Sequence, residues 1–170
     1  MPVKKLLEFL DENNVRYITI RHSSAFTAQE VAAKAHISGK ELAKTVMIKI
    51  DGKMAMAVLP ASFNVDFDIL KEIFGTRNVL LATESEFKTL FPDCELGAMP
   101  PFGNLYGMEV YVAETLADDK EIAFNAGNHT ELIKLSFEDY QRLVKPLIFK
   151  FSWKAVSFPG DPSERWQDYL

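Results

Sequence analysis

KTVMIKI-DG-KMAMAVLPA, residues 44–61, holds two β-forming runs on either side of an Asp-Gly pair. Asp-Gly suits a two-residue hairpin loop because both central residues must take positive φ, which these two tolerate best. The stretch therefore predicts an antiparallel hairpin, strands 44–50 and 53–61, turning at Asp51-Gly52. Lys44 stands where its first strand begins.

Working outward, the neighbouring segments alternate between helix and strand. Val3, Leu6, Leu7 and Leu10 fall at helical spacing and predict a first helix, broken by Asn13-Asn14. RYITIRH (16–22) reads as a strand. Thr27 followed by Glu30 forms a capping box, which starts a helix near Ala28, and Ser38 with Glu41 repeats the pattern ahead of a short helical turn. Beyond the hairpin, Phe67, Leu70 and Phe74 predict a helix stopped by Gly75, and NVLLA (78–82) a strand. Thr83 and Glu86 cap a short helix carrying Phe87, Leu90 and Phe91. A Gly- and Pro-rich loop, CELGAMPPFGNLYG (94–107), precedes three strands at 108–114, 121–127 and 130–136. Ser136 then caps a helix with Phe137, Tyr140 and Val144 on one face, and LIFKFS (147–152) adds a strand. This interleaving predicts an α/β protein of the α+β type, a mixed sheet with helices packed on it.

The 170 residues suffice for one domain with a real core, and 48% hydrophobic against 25% charged residues exclude disorder as the default. Cys94 is the only cysteine, so neither an intramolecular disulfide nor a cysteine metal cluster can form, as suits a reducing cytoplasm. The N-terminus turns acidic where a signal peptide would stay apolar, and no apolar run is long enough to span a bilayer. A formal net charge of −5 argues against broad gripping of nucleic-acid backbone but leaves room for a pocket taking one end of an RNA.

Three segments carry the chemistry: AFTAQEVAAKAHISGKELAKTVMIKIDGKMAMAVLPA (25–61), LGAMPPFGNLYG (96–107) and FNAGNHTELIKLSFEDYQRL (124–143). Lys44 offers a cation at a strand start, as a phosphate clamp, as an ester-polarising group or as a plain solvated lysine. In Gly97-Ala98-Met99-Pro100-Pro101, glycine permits close backbone approach and proline stiffens the far end, so the loop can aim N–H groups at a developing oxyanion. With Gly103 and Gly107 it can also act as a lid. Asn125-Ala126-Gly127-Asn128-His129-Thr130 links two strands as a turn, or floors a pocket in which His129 orients water or contacts a ribose. His22, Phe26 and Thr27 follow the first strand, Thr27 chiefly as a helix cap. Cys94, flanked by Asp93 and Glu95, lacks the electropositive setting of a nucleophile. No GxSxG, P-loop or GxGxxG pattern is present, and His22, His36 and His129 lack metal-ligand spacing, so neither metal nor cofactor is expected. Asp118-Asp119-Lys120 reads as a solvated turn, while Trp153 and Trp166 mark a tail that packs on the core or on a partner.

In order and spacing the three segments resemble the YbaK/prolyl-tRNA-synthetase-associated editing domains, free-standing members of which hydrolyse mischarged aminoacyl-tRNA. The likeness covers roughly residues 1–150, giving an editing domain at 1–152 and a C-terminal extension at 153–170. It implies a mixed, partly barrel-like sheet with surrounding helices. It implies a catalytic set of Lys44, Gly97 and Pro101, the last two being the ends of the family's GxxxP loop. It further implies that His22, Phe26, Thr27, Ala98, Met99, Pro100, Asn125, Ala126, Gly127, Asn128 and His129 line the substrate pocket. The expected partners are the mischarged tRNA acceptor end and an aminoacyl-tRNA synthetase. Alanine, serine, threonine and cysteine stay open as the amino acid removed. Two other readings stand beside this one: a non-catalytic module binding tRNA ends or aminoacyl-adenosine, and a hydrolase of another small ester.

Overall fold

Asp51 (φ 50°) and Gly52 (φ 82°) both sit at positive φ, as a two-residue hairpin loop of this kind requires. The computed structural model, which describes residues 2–154, builds the larger sheet around that hairpin. Strand β2 (Ala43–Ile50) pairs antiparallel with β3 (Lys53–Pro60), in register from Ala43↔Pro60 to Ile50↔Lys53. The outer edge of β2 takes β5 (Val79–Leu81) antiparallel. The outer edge of β3 takes β6 (Glu109–Ala113) parallel, and β9 (Leu147–Phe149) follows parallel to β6. The order β5-β2-β3-β6-β9 makes a mixed sheet with β3 at its centre. Residues 55–60 of β3 are all buried, because both faces of that strand are covered.

A second, antiparallel sheet has the order β1-β8-β7, from β1 (Tyr17–Arg21), β7 (Glu121–Asn125) and β8 (Glu131–Ser136). The two sheets meet where Leu42 bridges Ala123 in parallel and the Ala123 N–H donates to the Glu41 carbonyl at 3.0 Å. This seam gives an open, partial wrap rather than a closed barrel. A short pair, β4 (Asn64–Val65) with β10 (Ser152–Trp153), completes the pairing among the described residues.

Helices cover the sheets as their apolar stripes dictate. α1 (Lys4–Glu12) buries Leu6 and Leu10, and α6 (Phe137–Val144), capped by Ser136, buries Phe137, Tyr140 and Val144. Both pack into the main core with Val110, Val112, Phe124 and Ile133. On the opposite face of the larger sheet, α3 (Phe67–Phe74) sets Leu70 against Ile48, Ala57 and Leu59; Asp66 caps it and Gly75 (φ 63°) ends it. α2 (Ala28–Ala35), opened by the Thr27–Glu30 capping box, closes a small third core of Ala25, Val31, Leu42, Ala61, Ala123 and Leu132 over the seam. α4 (Glu84–Phe87) runs into a 3-10 turn at Lys88–Leu90, and α5 (Glu114–Ala117) follows β6 directly.

The structure departs from the sequence reading in a few places. Ser38–Leu42 is a hydrogen-bonded turn without a helix, because Leu42 is drawn at once into the seam. The Gly103–Gly107 segment is no lid. It forms a 3-10 turn, Gly103–Tyr106, so tightly packed that a Cβ on Gly103 would lie 2.6 Å from Val110 Cγ2. The Asp119 side chain is only 7% exposed and pairs with Lys40 at 3.5 Å, unlike a solvated turn residue. LIFKFS splits into β9 and β10 because Phe151 turns fully into the core. Ordered pairing thus reaches Trp153, whereas Trp166 and the rest of the expected extension, residues 155–170, lie outside the described residues. Among the described residues no helix is long and apolar enough to cross a membrane.

Candidate active site

Beyond the Leu42–Ala123 bridge, β2 and β7 run on together to Lys44 and Asn125. Each lies two residues past its partner in the bridge, so both side chains face the side of the seam that α2 covers. Lys44 is half-buried, and that burial lowers its amine below the ordinary lysine pKa. No carboxylate ion-pairs with it among the described residues, whereas Lys40 and Lys49 each hold one and Lys134 holds two. A half-desolvated ammonium without a counterion is a standing demand for an anion or a carbonyl oxygen. The Asn125 Oδ1 atom is likewise buried without a hydrogen-bond donor among the described residues.

The segment after β7 is stitched to the Gly97 loop. Glu95 N–H donates to the Gly127 carbonyl at 2.8 Å, and Gly127 N–H donates to the Ala98 carbonyl at 3.0 Å. The Glu95 carboxylate accepts the His129 N–H at 2.9 Å, and His129 Nε2 lies 2.9 Å from the Leu96 carbonyl. Because a carbonyl only accepts, Nε2 carries the ring proton and Nδ1 is a bare acceptor. Nδ1 is buried without a partner among the described residues.

Gly97 sits at φ +86°, where only a residue without a Cβ is unstrained. The side chains of Ala98 (0% exposed) and Met99 (4%) are buried, with Met99 in the main core, and Pro100 and Pro101 are buried too. What this loop offers a ligand is therefore backbone around Leu96–Gly97, and the residues after it act as anchors. Ala126 accepts the Val3 N–H at 2.9 Å, and Gly127 leaves no room for a Cβ beside Val3. Both are scaffold positions.

The 22–27 segment closes the other wall. His22 N–H donates to the Thr130 carbonyl at 2.9 Å and Ala25 N–H to the His129 carbonyl at 3.2 Å. The Phe26 ring, 71% exposed, leans on the His129 imidazole with centroids 4.6 Å apart. His22 Nδ1 sits 2.8 Å from the Ser23 carbonyl, and its Nε2 is a second buried ring nitrogen without a partner among the described residues, an acceptor in the neutral ring. Thr27 Oγ1 is committed to the helix cap, accepting the Glu30 N–H at 3.1 Å. Asn128 is committed to its own turn: Oδ1 accepts the N–H groups of Thr130 and Glu131, and Nδ2 donates to Glu131.

Of the residues singled out from sequence, Gly97, His129, His22 and Phe26 thus meet through hydrogen bonds and ring contacts, Lys44 and Asn125 lie on the β2–β7 seam, and Thr27 and Asn128 serve local structure. Glu95, the Leu96 carbonyl and Tyr140, whose phenol donates to the Pro101 carbonyl at 2.6 Å, were not foreseen. Cys94 faces Tyr106, and burial pushes its thiol up to about 11, so it is no thiolate nucleophile at neutral pH. Among the described residues no three His, Cys, Asp or Glu side chains gather to hold a metal.

The aminoacyl-tRNA editing domain matches residues 22–143, from His22 into α6, and so takes in every segment of this site. The chain belongs to the aminoacyl-tRNA editing domain family. Among its relatives, the multifunctional Ser/Thr-tRNA deacylase ProXp-y of Escherichia coli strain K12 is 26% identical over 154 residues, 87% of this chain and 91% of that protein. A proline–tRNA ligase of Bacillus mycoides is 27% identical over 89 residues, 52% of this chain but only 16% of the ligase. Among solved structures, a candidate trans-editing enzyme for prolyl-tRNA synthetase superposes with a TM-score of 0.74 at 16% identity, over 88% of this chain and 95% of the other, a likeness of fold. The chain thus matches the E. coli deacylase over nearly its full length and the ligase over a small part of its own.

Proposed function

We propose that this protein is a free-standing deacylase that hydrolyses the ester joining a wrongly attached small amino acid to the 3′ end of a tRNA. The observation carrying the proposal is the pairing of unmet demands around one seam. Among the described residues Lys44 is an ammonium without a counterion, while His22 Nε2, His129 Nδ1 and Asn125 Oδ1 are buried acceptors without donors. An aminoacylated adenosine answers both: it brings phosphate and ester oxygens for Lys44, and ribose hydroxyls and an α-ammonium for the acceptors.

In this reading Lys44 holds the terminal phosphate or polarises the ester carbonyl, and Leu96–Gly97 backbone cradles the oxyanion. Removing a single oxyanion donor from such a site costs about 3 kcal/mol of transition-state stabilisation. A water adds to the ester carbon, the bond to the ribose oxygen breaks, and the leaving oxygen takes up a proton, giving free amino acid and uncharged tRNA. An ester is already reactive toward water, so positioning and electrostatics suffice without a protein nucleophile. Phe26, exposed over His129, offers a flat face at the pocket mouth.

The E. coli relative's name favours serine or threonine as the amino acid removed, with alanine next in size. The synthetase relative supports a prolyl- or other aminoacyl-tRNA synthetase as partner, and the work belongs in the cytoplasm. A panel of tRNAs charged with alanine, serine, threonine, cysteine and the cognate amino acid, followed for release of amino acid, tests the proposal. Selective release of one or more small residues is expected. Tight binding of charged tRNA with no release would instead make this a binding module.

A further inference from the structure

Pro100 and Pro101 have no N–H to donate, so the far end of the Gly97–Pro101 loop can be tied only through its carbonyls: that of Pro100 accepts the Phe102 N–H at 2.8 Å, which leaves that of Pro101. The tie comes from elsewhere. The Tyr140 phenol, 39 residues further along the chain and fully buried in α6, donates to the Pro101 carbonyl at 2.6 Å. Its ring meets Phe102 edge-on, centroids 5.3 Å apart at 88°, and lies 5.8 Å from Phe137. Burial keeps the phenol protonated far beyond neutral pH, so it is a permanent donor. The near end of the loop is held separately by the Gly127–Ala98 and His129–Leu96 hydrogen bonds.

We propose that Tyr140 is a positioning residue for deacylation, fixing the Pro101 end of the loop so that the backbone at Leu96–Gly97 stays aligned with the ester. The inference rests on the deacylase reading. An aromatic side chain whose packing alone mattered would tolerate phenylalanine, since Phe fills the same space. Here the O–H is the functional group: without it a buried carbonyl loses its one side-chain partner among the described residues, and the loop is free to seek another.

The test compares Tyr140→Phe with Phe137→Leu on the tRNA that the wild-type protein deacylates best. Phe137 lies on the same helix and packs against Tyr140, and its side chain carries no hydrogen-bond donor for the Pro101 carbonyl. Tyr140→Phe should lower kcat by roughly tenfold to a hundredfold, the scale of a small misplacement of a catalytic group, with KM changed less than about twofold. Amide hydrogen exchange across residues 96–103, measured without substrate, should quicken in Tyr140→Phe. Phe137→Leu should lose thermal stability yet keep kcat and the exchange pattern of the loop. Wild-type kcat in Tyr140→Phe overturns the proposal, as does an equal kcat loss in Phe137→Leu, which would mark general loosening. If wild-type protein releases no amino acid, the deacylase reading fails on its own, and unchanged exchange in Tyr140→Phe would separately remove Tyr140 as the anchor.

Discussion

His129 and Leu96, 33 residues apart, are joined by a 2.9 Å hydrogen bond from imidazole Nε2 to the main-chain carbonyl. That bond makes His129 a strut between the two loops that wall the site, and it leaves Nδ1 facing away as a bare acceptor. The Nε2 donor can be copied by glutamine, whose amide nitrogen sits at similar reach. His129→Gln should therefore keep deacylation within about tenfold of wild type, whereas His129→Ala should lose on the order of a hundredfold, the scale of one positioned polar group. Single-turnover rates of both variants check this. If glutamine is as damaging as alanine, Nδ1 is the group that matters, as a proton acceptor.

Lys44 gives a pH-dependent prediction. Burial lowers its folded pKa below the ordinary value near 10.5. A base shifted this way penalises folding while charged, and the penalty fades as pH rises through the folded pKa toward 10.5. Lys44→Met should thus be at least as stable as wild type at neutral pH, with the margin shrinking in that alkaline window. Catalysis should move the opposite way: Lys44→Met should be nearly inactive, and the enzyme-dependent rate of wild type should fall on the alkaline side below pH 10.5. Urea unfolding and background-corrected deacylation from pH 7 to 10.5 measure the two. A Lys44→Met variant with wild-type kcat removes the lysine from the chemistry.

Two glycines of the site should respond differently to alanine. Both sit in the left-handed region, Gly97 at φ +86° and Gly127 at φ +101°, which costs a side chain about 1–2 kcal/mol. A Cβ on Gly97 would meet only His129 Cε1 at 3.7 Å, but one on Gly127 would strike Val3 Cγ2. Gly97→Ala should therefore lower activity with a modest stability loss, while Gly127→Ala should cost on the order of 3 kcal/mol or more. Val3→Ala should recover part of the Gly127→Ala deficit in urea unfolding, the sign expected of a relieved clash.

Binding of tRNA should be weak and confined to the acceptor end. The chain carries a formal charge of −5, and at the seam Lys44 is the cation left without a carboxylate among the described residues. The dependence of kcat/KM on salt should be shallow, with a log-log slope on the order of −1 to −3. A charged acceptor-stem minihelix should react nearly as well as whole tRNA. A steep slope together with an inert minihelix would require a basic surface or a partner that supplies the grip.

Much of this was legible in local sequence, because each cue is local chemistry. Asp51-Gly52 names its own turn, Thr27–Glu30 its own cap, and the apolar spacing of α1, α3 and α6 their buried faces. The character of the 97–107 loop was not legible. Its glycines and prolines resemble those of a surface turn, yet Ala98, Met99 and Phe102 are core residues. Two of the partners that allow this burial, Tyr140 and Gly127, lie far away along the chain. The parallel β3–β6 pairing escaped for the same reason, since nothing in either strand records its neighbour. Lys44 could be named from the resemblance, but its missing counterion became visible only when the carboxylates had positions. Glu95 looked like a flanking charge of Cys94 until its carboxylate was found on the His129 amide.

The stretches around His22, Gly97 and His129 are tied to one another by long-range hydrogen bonds, and β7, which leads into them, meets the Lys44 strand at the Leu42–Ala123 bridge. Closing contacts between such distant stretches costs chain entropy before any packing repays it, so they form late and together. A chain emerging from the ribosome can fold the Asp51-Gly52 hairpin early, but it holds no pocket until β7 and β8 have been made. The nascent domain is therefore harmless to charged tRNA for most of its synthesis, and competence arrives in a single step with the finished fold.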